Sequence, residues 1–422
     1  MHPPEQTAPH PVAPVAPPPP GPSPAGVPPL FSPAFLADPY PTYAMLRETS
    51  PVHRIATPQG FDMWLLTRYE DVRRAVTDPR FSRNLRLAPP EATALTGDPE
   101  SPVNRNLLTL DPPDHTRVRS LVQSAFTGRR VRELTGRVET VLDGLLSTAP
   151  RDEPIDLIAS VAYPLPITLI CELLGVPVTD RDDFREWTSG LVSTAGTDSL
   201  RLLRQSQEEL LAYFLDLVQR KRERPGEDLL SALVAVRDGE ARLSESELVG
   251  MAFMLLVAGH ETTVNLIATG TQLLLTHPAE RAAVAADPAL LEPAIDEILR
   301  FDGPAGIAFM VAAEEVELPG GTVPRGAVTA ALWHAANRDP ERFADPDVFR
   351  VRRGERGHLG FGHGVHRCIG APLARMETRI ALREILRRFP RARLAVPPGQ
   401  LRWRQAPFFR GLEELPVVLD PG

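Results

Sequence analysis

The chain has 422 residues, 43% of them hydrophobic, and its 54 acidic and 46 basic residues leave a net charge of −8. That is apolar enough for a sizeable core, and the acidic balance argues against a general nucleic-acid binder, which needs a basic surface. Its two cysteines, Cys171 and Cys368, indicate no disulfide framework and fit a reducing cytoplasm.

The opening segment, residues 1–29, reads MHPPEQTAPHPVAPVAPPPPGPSPAGVPP. It has too much proline for helix or sheet and too few large apolar residues to pack, so disorder is expected there, with folding to begin near Leu30. It lacks the apolar core of a signal peptide, and no later run reads as both long enough and free enough of polar groups to span a bilayer; no membrane anchor is expected. No repeat, linker or compositional break follows, which argues for one large domain over residues 30–422.

Period and punctuation then predict helices at Tyr40–Glu48, Tyr69–Thr77, His115–Phe126, Val131–Ser147, Ile167–Leu174, Leu202–Arg222 and Leu229–Val236. Further helices are expected at Leu243–Thr276, Leu290–Arg300 and Pro372–Arg388. Short strands are expected at Val52–Arg54, Met63–Leu66, Val316–Leu318, Val328–Ala331 and Leu415–Leu419, forming a small sheet from both ends of the chain. The result is mainly α with a small β region.

Several of these elements carry chemistry-bearing residues. In DPPDHTRVR the chain turns at two prolines and enters a helix on which His115 and Arg119, four apart, share a face. Such a face could be an ordinary solvated basic surface or could meet two oxygens of an acidic ligand. Cys171 lies in the apolar stretch PLPITLICELLG and reads as a core residue. The helix at Leu243–Thr276 has capping-box spacing in Ser244 and Glu247 and a stop at His277-Pro278. Within it Ala258 and Gly259 are small enough for a ligand to approach. Glu261 and Thr262 place an acid and a hydroxyl side by side in an apolar run, a costly place for a carboxylate without a task. Alternatively, Thr262 bonds back to a carbonyl and Glu261 points to solvent. His260 reads as a neighbour at a helix distortion rather than a metal ligand. Glu297 and Arg300, three apart, are placed to form an ion pair.

The segment FGHGVHRCIG, Phe361 to Gly370, sets Cys368 in a glycine-punctuated loop before an apolar-periodic helix with Pro372 in its first turn. A helix N-terminus offers free N–H groups and the positive end of the dipole, which suits a metal-bound thiolate. Gly362, Gly364 and Gly370 permit a tight backbone beside a flat ligand. The plainer reading of Cys368 is a buried apolar residue.

The pattern Phe361, Gly364, Cys368, Gly370 resembles the cysteine loop of the cytochromes P450, and the likeness extends to the Arg410-Gly411-Leu412 and Leu415-Pro416 end. It implies the mainly helical P450 fold in a single large domain, with a haem b whose iron is bound axially by Cys368. By this resemblance Phe361 packs beside the sulfur, His366, His115 and Arg119 hold haem propionates, and Glu261 with Thr262 relays protons to bound O2. Glu297 and Arg300 then serve folding and haem incorporation, completed by one of Arg338, Arg342 or Arg350. Where the family usually has Arg-x-Ala, this chain has Met310-Val311-Ala312, and a thioether neither donates a hydrogen bond nor carries charge. Haem anchoring is therefore expected to rest more heavily on His115, Arg119 and His366.

The implied function is a haem-thiolate monooxygenase that inserts one oxygen atom of O2 into a medium-sized hydrophobic natural product, such as a polyketide, terpenoid or peptide intermediate. The chain has no flavin, iron–sulfur or dinucleotide motif of its own, so a ferredoxin and its NAD(P)H-dependent reductase are expected as electron donors. Alternatives are a peroxide-driven peroxygenase and a non-catalytic haem protein; the acid and alcohol on the central helix weigh against both. Met254, Val257, Ala258, Ala305, Ile307 and Phe408 are candidate pocket walls, with Asn84–Leu108 and Trp187–Leu203 at the entrance.

Overall fold

A computed structural model describes residues 30, 32–57, 60–92, 98–125, 133–151, 153–180, 184, 187–188, 190–191, 199–237, 243–406 and 409–420. The expected disorder of residues 1–29 and the candidate wall residue Phe408 lie outside that set, as does part of each entrance segment.

The organising element is a 32-residue helix, Glu245–Thr276. Its start is set by the reciprocal capping box anticipated from sequence: the Glu247 N–H donates to Ser244 Oγ at 3.1 Å, and the Ser244 N–H donates to Glu247 Oε2 at 2.7 Å. It ends at His277, where Pro278 opens the next helix, Pro278–Ala286. By length and composition this helix could cross a membrane, contrary to the sequence expectation, but most of it is buried inside the fold. A helix apolar nearly all round is what a large core requires at its centre. Around it pack the helices Pro164–Leu174, Ser199–Glu223, Leu291–Asp302 and Ala371–Arg388. Close approach is made possible by Gly250, where an added Cβ would lie 2.5 Å from the carbonyl oxygen of Pro102 and 2.6 Å from that of Arg105. Cys171 is wholly buried in this core, as expected.

The strands are β1 (Val52–Ala56), β2 (Asp62–Leu66), β3 (Phe81–Ser82), β4 (Pro154–Asp156), β5 (Ile307–Ala312), β6 (Val316–Leu318), β7 (Gly321–Val323), β8 (Val328–Leu332), β9 (Arg393–Leu394) and β10 (Pro416–Val418). The main sheet has the order β1-β2-β8-β5-β3, with β2 and β8 parallel and the other pairs antiparallel. It joins early strands to residues 307–332. The final strand does not belong to it: β10 pairs with β4 and β9 in a separate sheet, which corrects the expectation of a single sheet built from both ends. Strand β5 was not anticipated, because burial leaves it without a clear apolar and polar alternation.

Beside this core lies a buried ion cluster. Arg300 donates from Nε to Glu297 Oε2 at 2.7 Å and from Nη2 to Oε1 at 2.9 Å, and its Nη1 donates to the carbonyls of Asn337 and Pro346. The residue that completes it is Arg353, whose Nε lies 3.0 Å from Glu297 Oε1. Arg350 contributes only its backbone N–H, while its side chain pairs with Asp345. Arg338 turns to Asp347 and Arg342 to the Arg356 carbonyl, so none of the three candidates supplies the third charge. The cluster pins the segment before the cysteine loop to the helix Leu291–Asp302. Arg300→Ala would strand part of this buried charge and leave two carbonyls unpaired. It is expected to lower stability by about 3–5 kcal/mol, read from the urea midpoint; a loss under about 1 kcal/mol would contradict this.

Candidate active site

The cysteine loop is closed by its own backbone. The Cys368 N–H donates to the Phe361 carbonyl at 2.8 Å, and the Arg367 N–H to the Gly364 carbonyl at 3.1 Å. Gly362 and Gly364 both take the left-handed region at φ +70°, and a Cβ at Gly364 would sit 2.9 Å from the Thr77 methyl, so the loop seats tightly on the end of the helix Tyr69–Ala75. Gly370, by contrast, has an ordinary φ of −81° and caps the helix Ala371–Arg388; an added Cβ there would only reach ordinary contact with Cys368 Sγ, at 3.9 Å.

As a residue Cys368 is exposed, though protein atoms surround its sulfur. Burial among surrounding protein pushes its thiol pKa up, while hydrogen bonds from the Gly370 and Ala371 N–H groups and the charges of Arg119 and Arg367 pull it down. Such donors at a helix start suit a thiolate once a metal takes up the remaining charge. Phe361 packs beneath the loop, with the Arg375 guanidinium 5.1 Å from its ring centroid.

Polar groups gather at one edge of the loop. His115, at 1% exposure, has no hydrogen-bond partner for either ring nitrogen among the described residues, and its ring lies tilted with its centroid 4.3 Å from that of His366. His366 donates from Nδ1 to the Leu107 carbonyl at 3.0 Å. Burial, followed by the charges of Arg83 and His115, pushes its pKa down to about 4, so the ring is neutral near pH 7. Arg119, one turn along from His115, donates to the Arg367 carbonyl at 2.8 Å and thus braces the loop beside Cys368. Met310, on β5, is buried in the apolar cluster with Val76, Phe81 and Leu359.

The central helix shows a second concentration. In a segment otherwise almost wholly buried, Val257, Ala258, Gly259 and Thr262 are only partly covered, whereas Met254 is core. Gly259 turns its bare side toward Ile170, where an added Cβ would lie 3.1 Å from Cδ1, so its smallness serves helix packing. Thr262 donates its hydroxyl to the Ala258 carbonyl at 2.7 Å. Glu261 does not reach solvent: it is 3% exposed and accepts from Arg404 Nη1 at 3.0 Å. Arg404 escaped the sequence reading because 143 residues separate the pair; a buried carboxylate does, however, demand a cation from somewhere. His260 donates to the Leu256 carbonyl and meets Tyr163 edge-on. Ala305 and Ile307 are partly buried at the start of β5.

Among the described residues no three metal-ligating side chains come together. The exposed residue Cys368 and the buried His115, without a hydrogen-bond partner among the described residues, fit a flat metal cofactor with anionic substituents.

A family model described as cytochrome P450 matches residues 286–400. The cytochrome P450 monooxygenase PikC of Streptomyces venezuelae is 48% identical over 91% of this chain and 91% of its own length. The chain belongs to the cytochrome P450 family. Another relative, 6-deoxyerythronolide B hydroxylase of Saccharopolyspora erythraea, is 43% identical over 93% of this chain and 99% of its own. The solved structure of the bacillaene polyketide synthase cytochrome P450 PksS of Bacillus subtilis superposes with a TM-score of 0.85, at 36% identity, over 92% of this chain and 99% of that one. This P450 therefore has the mainly helical fold with small sheets, takes haem b as cofactor, and is a haem-thiolate monooxygenase acting on a small molecule with O2 and electrons from a redox partner.

Removing the brace that Arg119 provides should loosen the loop that carries Cys368. Arg119→Ala is expected to release haem to an apo-globin acceptor about tenfold or more faster than wild type, in line with the loss of one charged hydrogen bond. Equal transfer rates would show that Arg119 is dispensable for holding the cofactor.

Proposed function

We propose that Cys368 is the axial iron ligand and that the partly open stretch of the central helix is the oxygen-activating face. The haem, when bound, supplies the redox chemistry at iron that cleaves dioxygen. The protein supplies orientation, protons and exclusion of water. His115 and Arg119 hold the propionate edge, and His366 joins them when an acidic group nearby favours its protonated form. Ala258 keeps the helix low where the cofactor lies, Gly259 lets that helix pack closely on Ile170, and Phe361, Gly364 and Gly370 hold the loop that presents the sulfur.

The observation that carries the oxygenase reading is the Glu261 and Thr262 pair. Thr262 commits its hydrogen to the Ala258 carbonyl, so its oxygen keeps lone pairs that orient a proton donor. Glu261 pairs with Arg404 and is the group able to pick up and pass on protons from solvent when that pairing opens. A peroxygenase or a haem carrier has no need of such a pair.

The substrate we assign is a medium-sized hydrophobic natural product of polyketide type. The apolar character of Val257, Ala305 and Ile307 supports it, and so do relatives described as a 6-deoxyerythronolide B hydroxylase and a polyketide synthase P450. Electrons come from a ferredoxin and its NAD(P)H-dependent reductase in the cytoplasm, since the chain carries no flavin or iron–sulfur motif of its own.

With a surrogate ferredoxin pair, wild type should couple NAD(P)H oxidation to oxygenated product. Thr262→Ala should keep substrate binding but divert electrons to peroxide, lowering coupling by about tenfold or more. Unchanged coupling in the variant would remove Thr262 from proton delivery.

A further inference from the structure

Arg83 follows directly on β3 and reaches across the sheet edge. Its Nη1 donates to the Phe309 carbonyl at 2.8 Å, one residue before Met310 on β5. Among the described residues this is the side chain's single hydrogen bond, which leaves four of the five guanidinium N–H groups without a partner. No carboxylate among the described residues forms an ion pair with it. Asp111, whose charge acts on Arg83 in part, is already engaged: its Oδ1 accepts the Arg83 backbone N–H at 2.8 Å and its Oδ2 accepts the Ser82 hydroxyl. The side chain is only partly exposed, and burial pushes its pKa down to about 10. A guanidinium in that position with no ion-pair partner among the described residues is costly, and an anion that arrives with a ligand offsets the cost.

Its neighbours say which ligand. The Arg83 charge is felt at both His115 and His366, so the three lie at one edge of the cysteine loop. They are tied together by local bonds: Asp111 links Arg83 to the helix of His115, through the His115 N–H to the Asp111 carbonyl at 2.8 Å, and Leu107 anchors His366. The His115 side chain, wholly buried with both nitrogens unpartnered, is a second and independent sign of an absent polar partner.

We propose that Arg83 is the principal cation for a haem propionate in this chain, donating through the free edge of its guanidinium while the Phe309 carbonyl holds it in place. Position 310 offers a thioether there, and the guanidinium reaches the same strand from β3 instead. This rests on the haem-binding reading above. A planar fork of N–H groups matches a carboxylate with two bonds, which lysine or histidine cannot do.

The test compares holo wild type with Arg83→Gln, Arg83→Lys and Met310→Arg in the Arg83→Gln background. Glutamine keeps a donor for the Phe309 carbonyl and loses the charge, so a mere strut would survive it. Arg83→Gln is expected to pass haem to an apo-globin acceptor about tenfold or more faster, to shift the ferric/ferrous potential negative, and to leave the thiolate-type carbon monoxide band in the fraction that keeps haem. Arg83→Lys should recover part of the retention and most of the potential, and the added Met310→Arg should recover part of both. If wild type has the thiolate band but Arg83→Gln matches it in haem loss and potential, the Arg83 assignment is wrong and the haem reading stands. If wild type lacks the band, it is the haem-thiolate reading that fails.

Discussion

Everything in this molecule is arranged around a cysteine that must stay uncovered and still carry charge. A thiolate in the open would be solvated by water, and one in the core would be neutralised; Cys368 sits just before a helix, where the Gly370 and Ala371 N–H groups on its sulfur oppose the burial that favours the neutral thiol. The loop that holds it there is shaped by two left-handed glycines and by the bond from the Cys368 N–H to the Phe361 carbonyl. The buried Glu297, Arg300 and Arg353 cluster fixes the segment leading into it.

The opposite requirement falls on the central helix. It is the apolar axis of the core, yet it includes a short stretch, Val257 to Gly259 with Thr262, that other side chains do not fully cover. A carboxylate is tolerated there because Arg404 comes from the far end of the chain to neutralise it. The pairing makes Glu261 both stable and usable: the partner is itself partly exposed, so the contact can open toward solvent without unfolding the helix.

The parts legible in the sequence were those set by local rules. The capping box of Ser244 and Glu247, the start of the helix after Cys368 and the Glu297 and Arg300 pair each depend on residues within a few positions of one another. What escaped depended on distant segments. Arg353 displaced three nearer candidates in the ion cluster because chain direction after residue 347, not spacing, decides which arginine returns. Arg404 and Arg83 are ordinary surface arginines by sequence and become site residues only when a strand or a C-terminal turn brings them to a carboxylate or a cofactor edge. Strand β5, buried without a clear alternation, had no period to announce it, and β10 found its partner at β4 through folding alone.

The most direct measurement is the absorption spectrum of the reduced protein under carbon monoxide, taken on wild type, Cys368→Ala and Cys171→Ala. Wild type and Cys171→Ala should show the strongly red-shifted Soret band of a thiolate-bound haem, and Cys368→Ala should lack it. A thiolate-type band that survives in Cys368→Ala would contradict the assignment of Cys368 as the iron ligand.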